Sequence, residues 1–234
     1  MLKELRADLQ KLATPAKAKA SSWFFKTGPG QYGEGDQFIG VTVPEQRVLS
    51  RKYKDLPFAE LTELLHSRVH EERLLSLFIL VGQYKKGDEA TKDKIYNFYL
   101  ENTRFINNWD LVDSSAEFIV GPYLEDKPKD ILKKLAKSAL LWDRRIAMIA
   151  TFHYIKKADF KLSLAIAAML VNDKHDLIQK AVGWMLREME KHGGEAELVE
   201  FLNKHASTMP RTALRYAIEH FTPEKRQYYL TMGK

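Results

Sequence analysis

The sequence predicts an all-α protein in which pairs of helices repeat along the chain as an α-solenoid. Apolar residues recur at helical spacing inside most segments, and the strict alternation of apolar and polar residues that marks strands is nearly absent. From residue 56 onward, five helix-pair segments begin at residues 56, 91, 129, 160 and 195, which lie 31 to 38 residues apart. Helix pairs that recur at such a period are typical of solenoid arrays.

The composition is that of a globular protein and excludes several kinds of site. Hydrophobic residues make up 45% of the 234 positions and charged residues 29%, so we expect residues 1–234 to form a single domain. The absence of cysteine excludes disulfides, thiolate zinc sites and cysteine nucleophiles. No spacing of the other possible ligands indicates a metal site, and we expect no cofactor.

The charge pattern favours a polyanionic partner and argues against a membrane. The N-terminal residues form a charged amphipathic helix pattern without the apolar core of a signal peptide. No run approaches the roughly 18 apolar residues that a membrane span needs. The net charge of +6, with a pI of about 9.2, is mildly favourable for binding nucleic acid.

Residues 1–55 are predicted to form N-terminal helices around a glycine-rich loop at residues 27–37. Residues 2–26 form one or two helices broken at Pro15, and they end in the aromatic cluster Trp23-Phe24-Phe25. The loop contains a G-x-G-x-x-G pattern, but a dinucleotide site needs a strand before it and a helix directly after it. Its position favours contact with a phosphate backbone instead. Residues 38–43 are predicted to be extended, and a helix begins at Pro44 and runs to about Tyr53.

Residues 56–234 are predicted to form about five HEAT-like repeats, which would curve around a concave groove. Four second helices carry a cation at what the sequence suggests is one register: Arg73, Arg145, Lys180 and Arg211. Stacked repeats would align these side chains and make the groove basic, as a nucleic-acid backbone requires. The alternative is that each cation pairs with an acid at a repeat interface, for which Glu71, Asp143 and Asp176 are available.

The second repeat interrupts this row and carries an indole and a carboxylate instead. Trp109 and Asp113 are four residues apart and share one face of a helix, an arrangement that suits a planar cationic ligand. The alternative is that Trp109 is buried and Asp113 caps or pairs at the surface. Trp184 follows Gly183, and a glycine inside a helix costs roughly 1 kcal/mol relative to alanine unless close packing needs it. Trp142 is expected to be structural.

Three blocks of sequence resemble the HEAT-like-repeat DNA alkylation repair proteins, which are alkylpurine DNA glycosylases of bacteria and archaea. The blocks are Asn108-Trp109-Asp110-Leu111-Val112-Asp113, Leu141-Trp142-Asp143-Arg144-Arg145, and Gln179 through Glu188. The resemblance extends from about residue 38 to the end. It implies that Asp113 is the catalytic aspartate and Arg145 the active-site arginine. It also implies that Trp109 and Trp184 contact the damaged nucleotide, with Trp23 as the matching N-terminal aromatic.

The activity implied by the resemblance is hydrolysis of the N-glycosidic bond of cationic N3- or N7-alkylated purines in duplex DNA. A carboxylate would stabilise the oxocarbenium character of the deoxyribose and position water, while indole faces attract the cationic base. No metal or lysine Schiff base is required, so we expect a monofunctional enzyme. DNA phosphates are expected to contact five cations: Arg73, Arg144, Lys180, Arg187 and Arg211.

Two other functions remain open from the sequence. A non-catalytic relative could bind bent or branched DNA through the loop at residues 28–36, which departs from the family's pattern, as does Asp176-Leu177. An α-solenoid can also serve as a protein–protein scaffold, which internal pairing of the cations would favour. For the glycosylase we expect a monomer that is cytoplasmic and nucleoid-associated, in a bacterium or archaeon.

Overall fold

The computed structural model describes residues 1–232, and within them all regular structure is helical, as predicted. The chain divides into two compact units, Met1–Ser115 and Ala116–Lys234. The helices of the first unit are α1 (Leu2–Lys11), α2 (Pro15–Phe24), α3 (Val43–Lys52), α4 (Phe58–Leu65), α5 (His70–Lys86), α6 (Glu89–Glu101) and α7 (Trp109–Asp113). Within residues 1–232, no helix has the length and apolar character needed to cross a bilayer.

The second unit continues the helix pairs predicted from the sequence. Its helices are α8 (Ala116–Tyr123), α9 (Asp130–Ala136), α10 (Leu141–Ala150), α11 (Phe152–Ile155), α12 (Lys161–Leu170), α13 (Asp176–Lys191), α14 (Glu195–His205), α15 (Arg211–Ala217) and α16 (Pro223–Thr231). Helix α10 packs against α9 and α13, and α13 packs against α12, α14 and α15. Helices α10, α13 and α15 are the second helices of three successive repeats. Because α13 contacts both α10 and α15, these three helices form one layer, as expected for a solenoid.

The N-terminal helices begin and end within about two residues of the predicted positions, since α2 ends at Phe24 and α3 runs from Val43 to Lys52. The first two helices are separated at Thr14, and Pro15 occupies the first turn of α2. Helix α3 starts at Val43, and the Thr42 backbone N–H donates to the Glu45 carboxylate at 2.7 Å, which stabilises the first turn. The extended piece predicted at residues 38–43 is not a strand, since the only bridge in this region joins Gln37 to Val69.

Helix α5 is the centre of the first unit, and its first turn carries four buried polar residues, His70, Glu71, Glu72 and Arg73. Each has a partner in the first 42 residues. Glu71 accepts hydrogen bonds from the backbone N–H groups of residues 39, 40 and 41, the shortest at 2.8 Å. Glu72 binds Arg6 through two bonds of 3.0 Å. These contacts join the N-terminal helices to the first repeat and explain why charged groups are tolerated there.

The linker between the two helices of a repeat contains the same two hydrogen bonds in three repeats. In the first kind, a side-chain oxygen accepts the backbone N–H of the residue two positions later, at 2.8–3.1 Å. The accepting residues are Ser67, Ser138 and Asp173. The backbone C=O of the same residue accepts a side-chain donor six residues later, from Arg73, Arg144 and Gln179, at 2.9–3.0 Å. Equivalent contacts at equivalent spacing define the structural register of the repeats.

This register corrects the predicted row of cations. Arg73 corresponds to Arg144 and Gln179, whereas Arg145 and Lys180 lie one position later. The prediction that Arg73 shares a register with Arg145 and Lys180 is therefore wrong. The sequence alignment matched basic residues to each other, but the register is set by the polar residue of the linker.

The surroundings of Gly183 in the second unit show the close packing that a glycine inside a helix permits. A Cβ added at Gly183 would lie 2.4 Å from the Ala213 carbonyl oxygen and 2.5 Å from the Tyr216 Cβ. Helix α15 therefore approaches the backbone of α13 more closely than a side chain at position 183 would allow.

We expect Gly183→Ala to lower the free energy of unfolding by about 1–3 kcal/mol, because the new methyl group meets backbone that cannot move independently. The matched control is Gly82→Ala in the middle of α5, where a Cβ would meet nothing within 4 Å. That change should raise stability by about 0.5–1 kcal/mol. Urea unfolding of both variants checks the pair, and equal effects would contradict the proposed close approach.

Candidate active site and nucleic-acid interface

The first candidate group lies on α7, a short helix held by its buried residues. Leu111 and Val112 are completely buried, and the Asn108 side chain caps the helix by accepting the Trp109 backbone N–H at 2.8 Å. Trp109 and Asp113 are the first and last residues of α7, one turn apart, and both are half-buried. The indole and the carboxylate therefore project from the same side of a firmly anchored turn.

The indole of Trp109 is held by aromatic residues of the N-terminal segment. The Phe25 ring stacks on it at 5.2 Å with an interplanar angle of 25°, and the Phe24 edge contacts it at 5.8 Å. Its Nε1–H donates to the Tyr32 hydroxyl at 3.2 Å. Tyr32 belongs to the glycine-rich loop, so this loop lies against the indole. Trp23, by contrast, is 83% exposed.

Below the aromatic rings lies a buried charge network that sequence reasoning missed. The His70 ring approaches Asp36 at 3.0 Å through Nδ1 and Asp110 at 2.8 Å through Nε2. Arg73 binds the other oxygen of Asp36 at 2.7 Å, and the Asn108 amide approaches Asp36 at 3.4 Å. This network connects the glycine-rich loop, α5 and α7.

The network shifts the pKa values of His70 and Asp36. Burial would lower the pKa of His70, but the negative charge of Asp110 and hydrogen bonds to Asp110 and Asp36 outweigh it and raise that pKa to about 9. Burial would raise the pKa of Asp36, but the His70 hydrogen bond and the Arg73 charge lower it overall. At neutral pH His70 is therefore a cation and Asp36 a carboxylate.

The second unit carries Arg145 and Trp184, the other two residues that the resemblance to the repair family predicts at the active site. Arg145 on α10 is 5% exposed and donates to the Leu177 carbonyl oxygen in the first turn of α13 at 2.6 Å. Trp184 on α13 is half-buried, contacts the Phe152 edge at 5.9 Å, and donates its Nε1–H to Glu188 at 3.1 Å. Trp142 is buried, as predicted.

The five cations predicted to contact DNA phosphates differ in their exposure and in the partners that they already bind. The Arg73 side chain is only 4% exposed and ion-paired with Asp36, which argues against direct phosphate binding.

The other four cations lie in the second unit. Arg144 binds Asp173 at 2.7 Å, and Arg187 binds Glu219. Lys180 pairs with Asp176, the acid suggested by the alternative interpretation, at 3.0 Å with both side chains well exposed. Arg211 is exposed and donates to the Leu230 carbonyl oxygen at 2.6 Å.

The exposed pair of Lys180 and Asp176 does not prevent DNA binding. A surface ion pair between residues four apart in a helix contributes roughly 0.3–0.5 kcal/mol, so Lys180 can exchange Asp176 for a phosphate at little cost.

His66 and His70, although four residues apart, do not form a metal site. His66 contacts Asn102 at 2.7 Å, and His70 is surrounded by the charge network.

Comparisons with known proteins agree with this architecture. A solved chain described as a predicted DNA alkylation repair enzyme from Enterococcus faecalis has 17% sequence identity and a TM-score of 0.70, with 90% of this chain and 97% of that chain covered. This likeness shows a shared fold. No curated protein matches the sequence. A family model described as DNA alkylation repair enzyme matches residues 5–221. The chain therefore belongs to the DNA alkylation repair enzyme family.

Proposed function

We propose that the protein is a DNA glycosylase that hydrolyses the N-glycosidic bond of cationic N3- or N7-alkylated purines in duplex DNA. The observation that carries the proposal is α7, which holds a half-buried carboxylate and an indole one turn apart. Membership of a DNA alkylation repair family supports DNA as the substrate. The net charge of +6 favours association with it.

Asp113 is the proposed catalytic residue. In an N3- or N7-alkylated purine the ring already carries a positive charge, so the base takes the glycosidic electron pair and departs neutral. The deoxyribose develops oxocarbenium character, which a nearby carboxylate stabilises. A water molecule held by that carboxylate then bonds to C1′ and gives up a proton to the carboxylate. The products are a free base and an apurinic site, without cleavage of the strand.

The aromatic and cationic residues bind the substrate in this proposal. Indoles at Trp109 and Trp184 attract the cationic nucleotide through their faces, each contributing roughly 0.5–2 kcal/mol. The exposed Trp23 is available to stack beside the lesion. Arg145 is the active-site arginine in this proposal, where it orients Asp113 or holds the phosphate of the damaged nucleotide, and four more exposed cations bind the flanking backbone: Arg144, Lys180, Arg187 and Arg211. We leave the buried Arg73 out of this set.

One observation favours a second candidate function, DNA binding without excision. Phe25 covers one face of the Trp109 indole, and the Tyr32 hydroxyl already accepts its N–H. Because one face of the Trp109 indole and its N–H are already in contact, only the opposite face is left for the damaged base. A relative in which the loop of Tyr32 blocks base access would bind bent or branched DNA and release nothing.

The experiment that separates the two functions measures free base released from a methylated duplex, beside binding of the same duplex at several salt concentrations. The glycosylase is expected to release 3-methyladenine or 7-methylguanine and leave alkali-labile sites. Both candidates predict affinity that falls steeply as salt rises, by a factor of 10³ or more between about 50 and 200 mM if six or more phosphates are contacted. Salt-sensitive binding with no release would select the second candidate, and no DNA binding would reject both.

A further inference from the structure

One buried histidine connects the glycine-rich loop to the helix that carries Trp109 and Asp113. His70 begins α5, and its two ring nitrogens face Asp36 at 3.0 Å and Asp110 at 2.8 Å. Asp36 lies near the C-terminal end of the loop, and Asp110 lies in the first turn of α7. A carboxylate only accepts hydrogen bonds, so both ring nitrogens must donate, and an imidazole that donates from both nitrogens is a cation.

The ring of His70 is enclosed by Phe38 and Phe25, and Phe25 also contacts Trp109. Phe38 stacks on the His70 ring at 4.5 Å, and Phe25 packs on it at 5.1 Å. The same Phe25 stacks on Trp109 at 5.2 Å. His70 is therefore connected to α7 in two ways, by its hydrogen bond to Asp110 and by the ring of Phe25. Its own side chain is 2% exposed, so solvent cannot replace these contacts.

The charges around His70 balance only while it is protonated. Asp36 and Asp110 face the ring, and the remaining cation is Arg73, which binds Asp36 at 2.7 Å and has one nitrogen 3.4 Å from the ring. The neighbouring acids of α5 point elsewhere, Glu71 to the backbone amides of residues 39–41 and Glu72 to Arg6. Without the imidazolium, two buried carboxylates would share one cation, and Asp110 would lose its partner on α5.

We propose that His70 is a positioning residue for base excision, because its bonds to Asp36 and Asp110 fix the α7 turn that presents Trp109 and Asp113. This inference rests on the proposed glycosylase function. Displacing a reacting group by about 1 Å can lower the reaction rate about 100-fold, so we expect His70 to affect the chemical step and not DNA affinity.

The test compares wild type with His70→Gln in single-turnover excision from a methylated duplex between pH 6 and 10, with spontaneous release subtracted. Glutamine can donate to only one of the two carboxylates. The variant is expected to lose excision rate on the order of 10- to 100-fold at pH 7.5, with DNA affinity almost unchanged. Wild type should lose rate as the pH rises through about 9, and His70→Gln should lack that loss. The matched control, His66→Gln, removes the other histidine of this segment, which contacts Asn102 and stacks on Phe105.

A second variant keeps the test decisive if His70→Gln does not fold. Asp110→Asn retains an acceptor for His70 but removes the charge that most favours its protonation, so the alkaline loss of rate should move to lower pH. A His70→Gln enzyme that excises at the wild-type rate, or one slowed without any change in the pH profile, would overturn the positioning role.

Failure of the proposed function would look different, because wild type itself would release no base. In that case the indole N–H resonance of Trp109, assigned with Trp109→Phe, reports on α7 by nuclear magnetic resonance. The inference predicts that this resonance shifts with the same midpoint as the His70 ring. An indole resonance that is unmoved while His70 titrates would contradict control of α7 by His70.

Discussion

Replacing Asp113 by asparagine is expected to slow base excision by a factor of about 100 to 1000, because the neutral amide cannot stabilise an oxocarbenium ion or take up a proton from water. Asparagine has nearly the same size and shape, so α7, whose buried residues are Leu111 and Val112, should keep its conformation. The affinity for methylated duplex should stay within a few-fold of wild type, since no positive charge is removed. Single-turnover release of methylated base measures the rate directly.

The matched control for this variant is Asp55→Asn, which makes the same chemical change at a side chain that is 82% exposed. It should excise at the wild-type rate and unfold at the same denaturant concentration. If Asp113→Asn and Asp55→Asn have equal rates, Asp113 is not the catalytic residue. Loss of DNA binding by Asp113→Asn would instead indicate a structural effect of the substitution.

Raising the pH from about 6.5 to 9 is expected to lower the free energy of unfolding by about 3 kcal/mol through His70 alone, at about 1.4 kcal/mol per pH unit. The pKa of this buried group is raised in the folded state, so its stabilisation is complete below the unfolded value of 6.5. Between the two values the unfolded chain loses the proton and the folded chain keeps it. Above pH 9 both states are deprotonated and the contribution is gone.

Urea unfolding at pH 6.5, 7.5, 8.5 and 9.5 checks this dependence. His70→Gln should be less stable than wild type at pH 6.5, because two buried carboxylates lose a cation, and its stability should vary little over the same range. His66→Gln should keep the wild-type slope. A wild-type curve that is flat between pH 6.5 and 9 would show that His70 is neutral in the folded state.

The helices could be predicted from the sequence because their signals are local. Pro15 and Pro44 fit first-turn positions at the starts of α2 and α3, and apolar spacing identified the helix pairs. The glycine at 183 indicated a close approach of helices, and α15 does pack against its backbone there. The Trp109–Asp113 turn was also evident, since four-residue spacing on a helix is a local property.

The charge network could not be predicted in the same way. His70 lies 34 residues from Asp36 and 40 from Asp110, and nothing in either segment indicates that they meet. A basic residue near a helix start has the same sequence signal whether it is buried like Arg73 or exposed like Lys180. Only the contacts of the linker distinguish the two, which is why the predicted row of cations was misaligned.

The measurement that tests the glycosylase most directly is the amount of free 3-methyladenine and 7-methylguanine released from one methylated duplex by wild type, Asp113→Asn and Asp55→Asn. We predict release by wild type and Asp55→Asn, with intact strands containing apurinic sites, and a rate lower by about two orders of magnitude or more for Asp113→Asn. Binding of the duplex by all three proteins without release by any of them would contradict the glycosylase.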